Sequence, residues 1–286
     1  MGLLWRGEEM MIRRKPILST LLYILLSTGS IAMLFPFVWM LSTSLKSDVQ
    51  LYAWPPVWLP FPLQWDNYVK AFTQLPFGLW FGNTAVITMI SVFGAVLSSP
   101  IVAYGFARYR ARGRKLLFMI MISTMMIPWT VVMIPKFFLF SNIHWVNTFL
   151  PLTVPSFFGN AFYIFLLRQF FQTIPPDTEE AAKIDGAGVF GILWHVLLPV
   201  TVPVLVTVAI FQFDSSWNDF LQPLLYLNKQ SLFTVSLGMN FFNGQFDVQW
   251  NYLMAVACVA MLPTIVLFFI GQKYFVQGIA LTGMKG

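Results

Sequence analysis

Several polar side chains gather in one otherwise apolar run: Gln212, Asp214, Ser215, Ser216 and Asn218, with Trp217 among them. Carboxylate, amide and hydroxyl groups beside an indole suit one kind of chemistry. They hydrogen-bond a polyhydroxylated solute such as a sugar and give its apolar side a stacking face. An acidic residue central to a lipid-spanning helix costs about 2.5–3.5 kcal/mol and faces a bundle interior or a water-filled cavity. Asp214, Trp217 and Asn218 are therefore candidates for lining a solute pathway, and Asn83, Asn160 and Tyr163 are further candidates from other apolar runs. The same groups also suit hydrogen bonds between helices or a position at the outer interface, and both readings stand at this point.

Other chemistries find no constellation. No Gly-x-x-x-x-Gly-Lys-[Ser/Thr] loop is present to cradle nucleotide phosphates, and neither a serine elbow nor a His-Glu-x-x-His helix occurs. His144 and His195 stand far apart, outside any metal-ligand spacing. The methionines between Met119 and Met126 read as packing or lipid-facing residues rather than a soft-metal path. Cys258 is the single cysteine, so no intramolecular disulfide forms, and its apolar neighbours read as a buried setting. The chain is expected to hold no cofactor or metal and to be non-catalytic.

The elements that must position these residues follow from composition. Of 286 residues, 58% are hydrophobic and 10% charged, against about 25% charged in a soluble domain, and the mean hydropathy is +0.72. Runs at about 17–41, 80–107, 116–140, 149–171, 200–226 and 252–272 are each long enough to cross a bilayer. Without strand alternation they read as helices, giving an all-α polytopic membrane protein with six transmembrane helices. Arg6, Arg13, Arg14 and Lys15 precede the first run like the charged region of a signal peptide. That run is too long for a signal core, so it is expected to stay as the first span.

Placing the N-terminus in the cytoplasm puts 13 of the 17 Lys and Arg residues on that side, which supports both termini inside. The net charge of +6 then reflects topology rather than a nucleic-acid partner. The expected organisation is a cytoplasmic segment 1–16, a membrane domain 17–272 and a cytoplasmic tail 273–286. Two external stretches are long. One, about 42–79, carries Trp54, Pro55, Pro56, Trp58, Pro60, Phe61 and Pro62; the other, about 228–251, is rich in Asn, Gln and aromatics. Both suit an interfacial belt and are compatible with docking an external partner.

The segment 174–199 departs from this pattern. Pro175 and Pro176 end the fourth span. Asp177 with Glu180 forms a capping-box pattern, and Glu179 with Lys183 is an i,i+4 pair in the favourable order. Gly186 breaks this helix, and a second short amphipathic element runs to Pro199, which opens the fifth span. Small Ala181 and Ala182 leave a low surface that fits a groove of another protein.

The residues Glu180-Ala181-Ala182, then Gly186, Val196, Leu198 and Pro199, match in every spacing the "EAA" loop of binding-protein-dependent ABC importer permeases, with Val196 in place of Ile. Asp185 and Ala187 fit the same pattern. The whole chain resembles the carbohydrate branch of that family, maltose type, through its length, its Ser216–Phe220 stretch and its Gln272–Gly286 tail. The resemblance implies a type I ABC importer permease fold in the inner membrane. It also implies a partner permease, two ATPase subunits that hold the Mg-ATP, and an external sugar-binding protein. Glu180, Ala181, Ala182, Asp185 and Gly186 would couple to the ATPase, and Gly283, Met284, Lys285 and Gly286 would touch it. Alternatives are glycerol phosphate or a polyol as cargo. A secondary transporter, favouring broken helices and several acidic groups, or a membrane enzyme with clustered catalytic groups, fits the spans less well.

Overall fold

The structure is a computed structural model that describes the backbone of residues 16–242 and 248–283, and side chains within 19–242 and 248–273. Its helices are α1 (Pro16–Ser44), α2 (Asp48–Leu51), α3 (Asp66–Gln74), α4 (Phe77–Arg108), α5 (Arg114–Ser123), α6 (Trp129–Asn142) and α7 (Leu150–Thr153). There follow α8 (Ala161–Thr173), α9 (Asp177–Ile184), α10 (Val189–Gly191), α11 (Leu198–Trp217), α12 (Leu221–Tyr226), α13 (Val235–Met239) and α14 (Trp250–Gly283). Among the described residues, five helical stretches are long and apolar enough to cross a membrane: Ser19–Ser44, Phe77–Arg108, Leu150–Thr173, Val189–Trp217 and Trp250–Lys273. A sixth arises if the bent pair Arg114–Met126 and Trp129–Asn142 forms one span.

The chain divides into two compact units. The first holds the described residues up to Ala71 together with Gln249–Cys258. Here Asn67 donates both amide hydrogens, to the Ser44 and Lys46 carbonyls at 2.9 Å each, and so folds the chain back after α1. The Ser44 hydroxyl lies 2.8 Å from the Tyr68 hydroxyl, and Asn251 donates to Asp48 at 3.0 Å.

The second unit runs from Phe72 to Val248 and from Val259 onward. Its centre is α4, packed against α8 and α11. The buried face of α4 carries Thr84, Thr88, Ser91, Ala95, Ser99 and Ala103, spaced by three or four residues. Small side chains at this spacing let helices approach closely where lipid supplies no hydrophobic drive. Hydroxyls on this helix then satisfy irregular backbone nearby. Ser91 and Ser98 donate to the Leu152 and Ser156 carbonyls, both at 3.1 Å. Buried Tyr163, Leu167, Phe171, Leu193, Leu197 and Val208 fill the centre.

Three spans depart from the expected continuous helices. The third bends by 101° between its halves. Ile127 takes extended backbone before Pro128, which lacks an N–H and disfavours helix in the residue preceding it. The fourth breaks into α7, a 3₁₀ turn over Val154–Phe158, and α8. Pro151 and Pro155 fall in that stretch, and Gly159 closes it at φ +84°, where a Cβ would meet Ile164 Cδ1 at 2.9 Å. Asn160 restarts the helix by accepting from the backbone N–H of Phe162 at 2.9 Å. The fifth span begins at Val189, not near residue 200, because π-helical Ile192–Leu197 carries the helix past Pro199. A wider turn accommodates a ring that clashes with the carbonyl four residues back in a regular helix. The same helix ends at Trp217, so α12 is separate from it.

Candidate coupling loop and translocation cavity

Helix α9 carries the EAA residues. Pro176 occupies its N-cap position without a side-chain cap, so Asp177 is the first helical residue and no capping box forms. Glu180, Ala181, Lys183 and Asp185 are exposed, while Ala182 packs partly against the core. Asp185 caps the C-terminus, and Gly186 follows at φ +83°. The Ala187 N–H then returns to the Ala182 carbonyl at 2.9 Å, which makes a Schellman-type turn. The loop thus presents a short helix with a small-residue face and a fixed elbow.

Glu179 does not join Lys183. Its carboxylate is buried, its side chain 6% exposed, and it forms an ion pair with Arg108 at the end of α4. The Arg108 guanidinium also donates to the Ile174 carbonyl at 2.7 Å, at the start of the loop. Tyr104, one turn back on α4, donates to the other Glu179 oxygen at 3.5 Å. α9 is therefore clasped to the helix at the centre of the bundle. Charges at low exposure pair strongly because little water screens them.

The helix breaks border a cavity of about 340 Å³. Pro151, Leu152, Pro155, Ser156 and Gly159 contribute from the fourth span, and Trp129 and Lys136 from the third. Gln212, Ser215, Ser216, Asp219 and Gln222 add amides, hydroxyls and a carboxylate. Gln212 donates to the Ser216 hydroxyl at 2.8 Å. Asp219 accepts from the Gln222 backbone at 3.2 Å and from its side-chain amide at 2.7 Å. Burial pushes the Asp219 carboxyl up from its ordinary value, and the Gln222 hydrogen bonds pull against that rise.

Of the six pathway candidates, Asn160 lines this cavity. Asp214 is exposed on α11 and accepts from Asn218 at 2.8 Å, so these two pair with each other outside it. Trp217 is buried and donates to the Ala260 carbonyl at 2.9 Å. Asn83 spends its amide on the Ser231 and Phe233 carbonyls, at 2.9 Å each, and Tyr163 lies in the core. Gln212, Ser215 and Ser216 stood out in the sequence only as neighbours of Asp214; Ser156, Gln222 and the Arg108 clasp carried no signal of their own. Pro128, Pro151, Pro155 and Gly159 inside apolar runs were the available pointer. Met284, Lys285 and Gly286 lie outside the described residues, and Gly283 ends α14.

The family model described as "Binding-protein-dependent transport system inner membrane component" matches residues 95–281, which take in helix α9 and the cavity residues named above. The chain is 30% identical to the arabinooligosaccharides transport system permease protein AraQ of Halalkalibacterium halodurans, over 96% of this chain and 99% of that one. It is 29% identical to the sn-glycerol-3-phosphate transport system permease protein UgpE of Yersinia enterocolitica, over 94% and 98%. Among solved structures, a bacterial ABC transporter that imports the acidic polysaccharide alginate superposes with a TM-score of 0.81 at 25% identity, covering 92% of this chain and 98% of that one. The chain belongs to the binding-protein-dependent inner-membrane permeases of the carbohydrate ABC importer family. It is the non-catalytic, multi-pass permease component of such an importer.

Proposed function

We propose that this permease forms half of the translocation pathway for a sugar or oligosaccharide, beside a second, different permease. The observation that carries the reading is the cavity at two successive helix breaks. Irregular backbone at membrane depth is tolerated where it is buried in protein or lines a water-filled space. The amide, hydroxyl and carboxylate lining around Gln212, Ser216, Asp219 and Gln222 matches the hydrogen-bonding needs of a polyol. Similarity to an arabinooligosaccharide permease points the same way.

Both termini and the α9 loop lie in the cytoplasm on this reading, in keeping with the distribution of Lys and Arg. The exposed Glu180–Ala181 face, with Ala182, Asp185 and Gly186, enters a groove of an ATPase subunit, and the tail Gly283–Gly286 reaches the ATPase pair. When two ATPase subunits close on nucleotide, α9 moves, and the Glu179–Arg108 pair carries the displacement into α4. The cavity then opens toward a sugar-loaded external binding protein.

A second cargo, an anionic polyol such as a glycerol phosphate, gains support from Lys136 on the cavity wall and from the UgpE similarity. Uptake by cells lacking this permease and complemented with it separates the two. Labelled oligosaccharide entering, with no entry of glycerol phosphate, supports the sugar reading; the reverse pattern replaces it with the anionic cargo.

A further inference from the structure

A second pocket, of about 230 Å³, lies where α4, α5 and α8 meet and shares no lining residue with the cavity described above. Phe106, Phe118 and Met119 form its apolar walls, and Arg114, Lys115 and Arg168 supply its charge. Arg168 is held in place: Nε donates to the Phe106 carbonyl at 3.2 Å, and the guanidinium lies over the Phe118 ring, 4.1 Å from its centroid. Arg114 donates to the Tyr109 carbonyl at 2.8 Å. Among the described residues, no ion pair joins Arg114, Lys115 or Arg168 to a carboxylate. Like charges gathered beside low-dielectric walls repel one another, and an anion between them removes that cost.

The depth fits a lipid headgroup. Arg114 opens α5, and Arg168 stands little more than a turn before the end of α8 at Thr173. The cations therefore lie where these helices leave the hydrocarbon, while Leu116, Leu117, Met119 and Ile120 beside them are more than half exposed. Basic pockets between membrane helices at this level bind anionic headgroups. We propose that this pocket binds one anionic phospholipid, its phosphate between Arg114, Lys115 and Arg168 and an acyl chain along Phe118 and Met119. The apolar walls and exposed leucines favour a lipid over a free anion. The inference rests on the membrane location alone, and on neither the cargo nor the coupling reading.

Native mass spectrometry of the full chain in detergent, titrated with phosphatidylglycerol, phosphatidylcholine and inorganic phosphate, tests it. Phosphatidylglycerol should bind at least about ten-fold more tightly than phosphatidylcholine, the preference expected from two or more cation contacts. Lys115 is exposed and makes no structural hydrogen bond in the described set, so Lys115→Gln keeps the fold. It should weaken phosphatidylglycerol about five-fold, and adding Arg114→Gln should bring the loss to about 25-fold. Arg112→Gln, outside the pocket, should change nothing. Equal affinity for the two lipids, or binding insensitive to Lys115→Gln, overturns the proposal. So does inorganic phosphate competing as well as the lipid, which assigns the site to a free anion. Cross-linking from position 115 to another subunit in the assembled importer also overturns it, because protein then covers the pocket.

Discussion

Replacing Glu179 should uncouple the importer without dismantling it. The carboxylate is buried against Arg108, whose side chain is 17% exposed, so removing it leaves a guanidinium without its counter-charge at low exposure. Breaking a buried pair by deleting one partner costs about 3–5 kcal/mol. Arg108 keeps its bond to the Ile174 carbonyl, which limits the loss toward the lower end of that range. A cost of about 3 kcal/mol still lowers the clasped fraction of α9 relative to the released one by roughly two orders of magnitude. In proteoliposomes holding the complete importer, Glu179→Ala should therefore cut solute moved per ATP at least about ten-fold, a conservative share of that shift. Assembly and ATP hydrolysis should persist, because the exposed face of α9 is untouched. Arg108→Glu with Glu179→Arg should restore part of the ratio. Unchanged solute per ATP in Glu179→Ala refutes the mechanical role of the clasp. Parallel loss of assembly, hydrolysis and transport, with no rescue by the exchanged pair, reduces the clasp to a fold determinant.

Burial raises the Asp219 carboxyl, so the folded chain binds its proton more readily than the unfolded chain does. Stability then rises as pH falls toward the carboxylate range, and Asp219→Asn should raise the melting temperature at neutral pH by an amount that shrinks on acidification; thermal unfolding at several pH values checks this. Gly238 packs on Trp80 so closely that a Cβ would meet Cε3 at 2.0 Å, and Trp80 is fully buried with its indole N–H on the Gln230 carbonyl at 2.8 Å. Gly238→Ala should cost about 1–3 kcal/mol, seen as a lower melting temperature and altered tryptophan fluorescence. Gln212→Leu removes an amide from the cavity wall and leaves the Ser216 hydroxyl without its donor. If the wall amide bonds the solute on the proposed pathway, one such hydrogen bond is worth about 0.5–1.5 kcal/mol, so the uptake KM should rise roughly two- to twelve-fold with assembly intact.

The spans and the short helix α9 with its glycine elbow were legible because each rests on local signals: apolar length, proline and glycine punctuation, and small residues at fixed spacing. The second span, expected over 80–107, is α4, Phe77–Arg108. The breaks were harder to see, since Pro203 and Pro263 lie inside intact helices whereas Pro128 ends one. Which proline breaks a span depends on whether neighbouring groups take up the freed carbonyls, as Ser91 and Ser98 do beside the fourth span. Glu179 shows the same limit from another side. Lys183 is its correct helical neighbour by spacing, but it stands exposed, and the buried partner Arg108 comes from a distant helix. Local reasoning ranks the near pair first; tertiary packing decided for the far one. Asp214 and Asn218, at the end of α11, pair with each other, whereas the fold turns Gln212, Ser216 and Asp219 toward the cavity.

ATP hydrolysis by the reconstituted importer, carrying this permease with its partner permease and ATPase subunits, is the measurement nearest to the central claim. It is made with a panel of external binding proteins, each empty or loaded with its solute. One sugar-loaded binding protein should stimulate hydrolysis, and Gly186→Pro or Ala182→Arg in this chain should abolish both the stimulation and uptake of that sugar while membrane insertion persists. If the chain recruits no ATPase and moves solute down an ion gradient by itself, or if both variants import sugar normally, α9 is not the coupling element and the pathway is driven in another way.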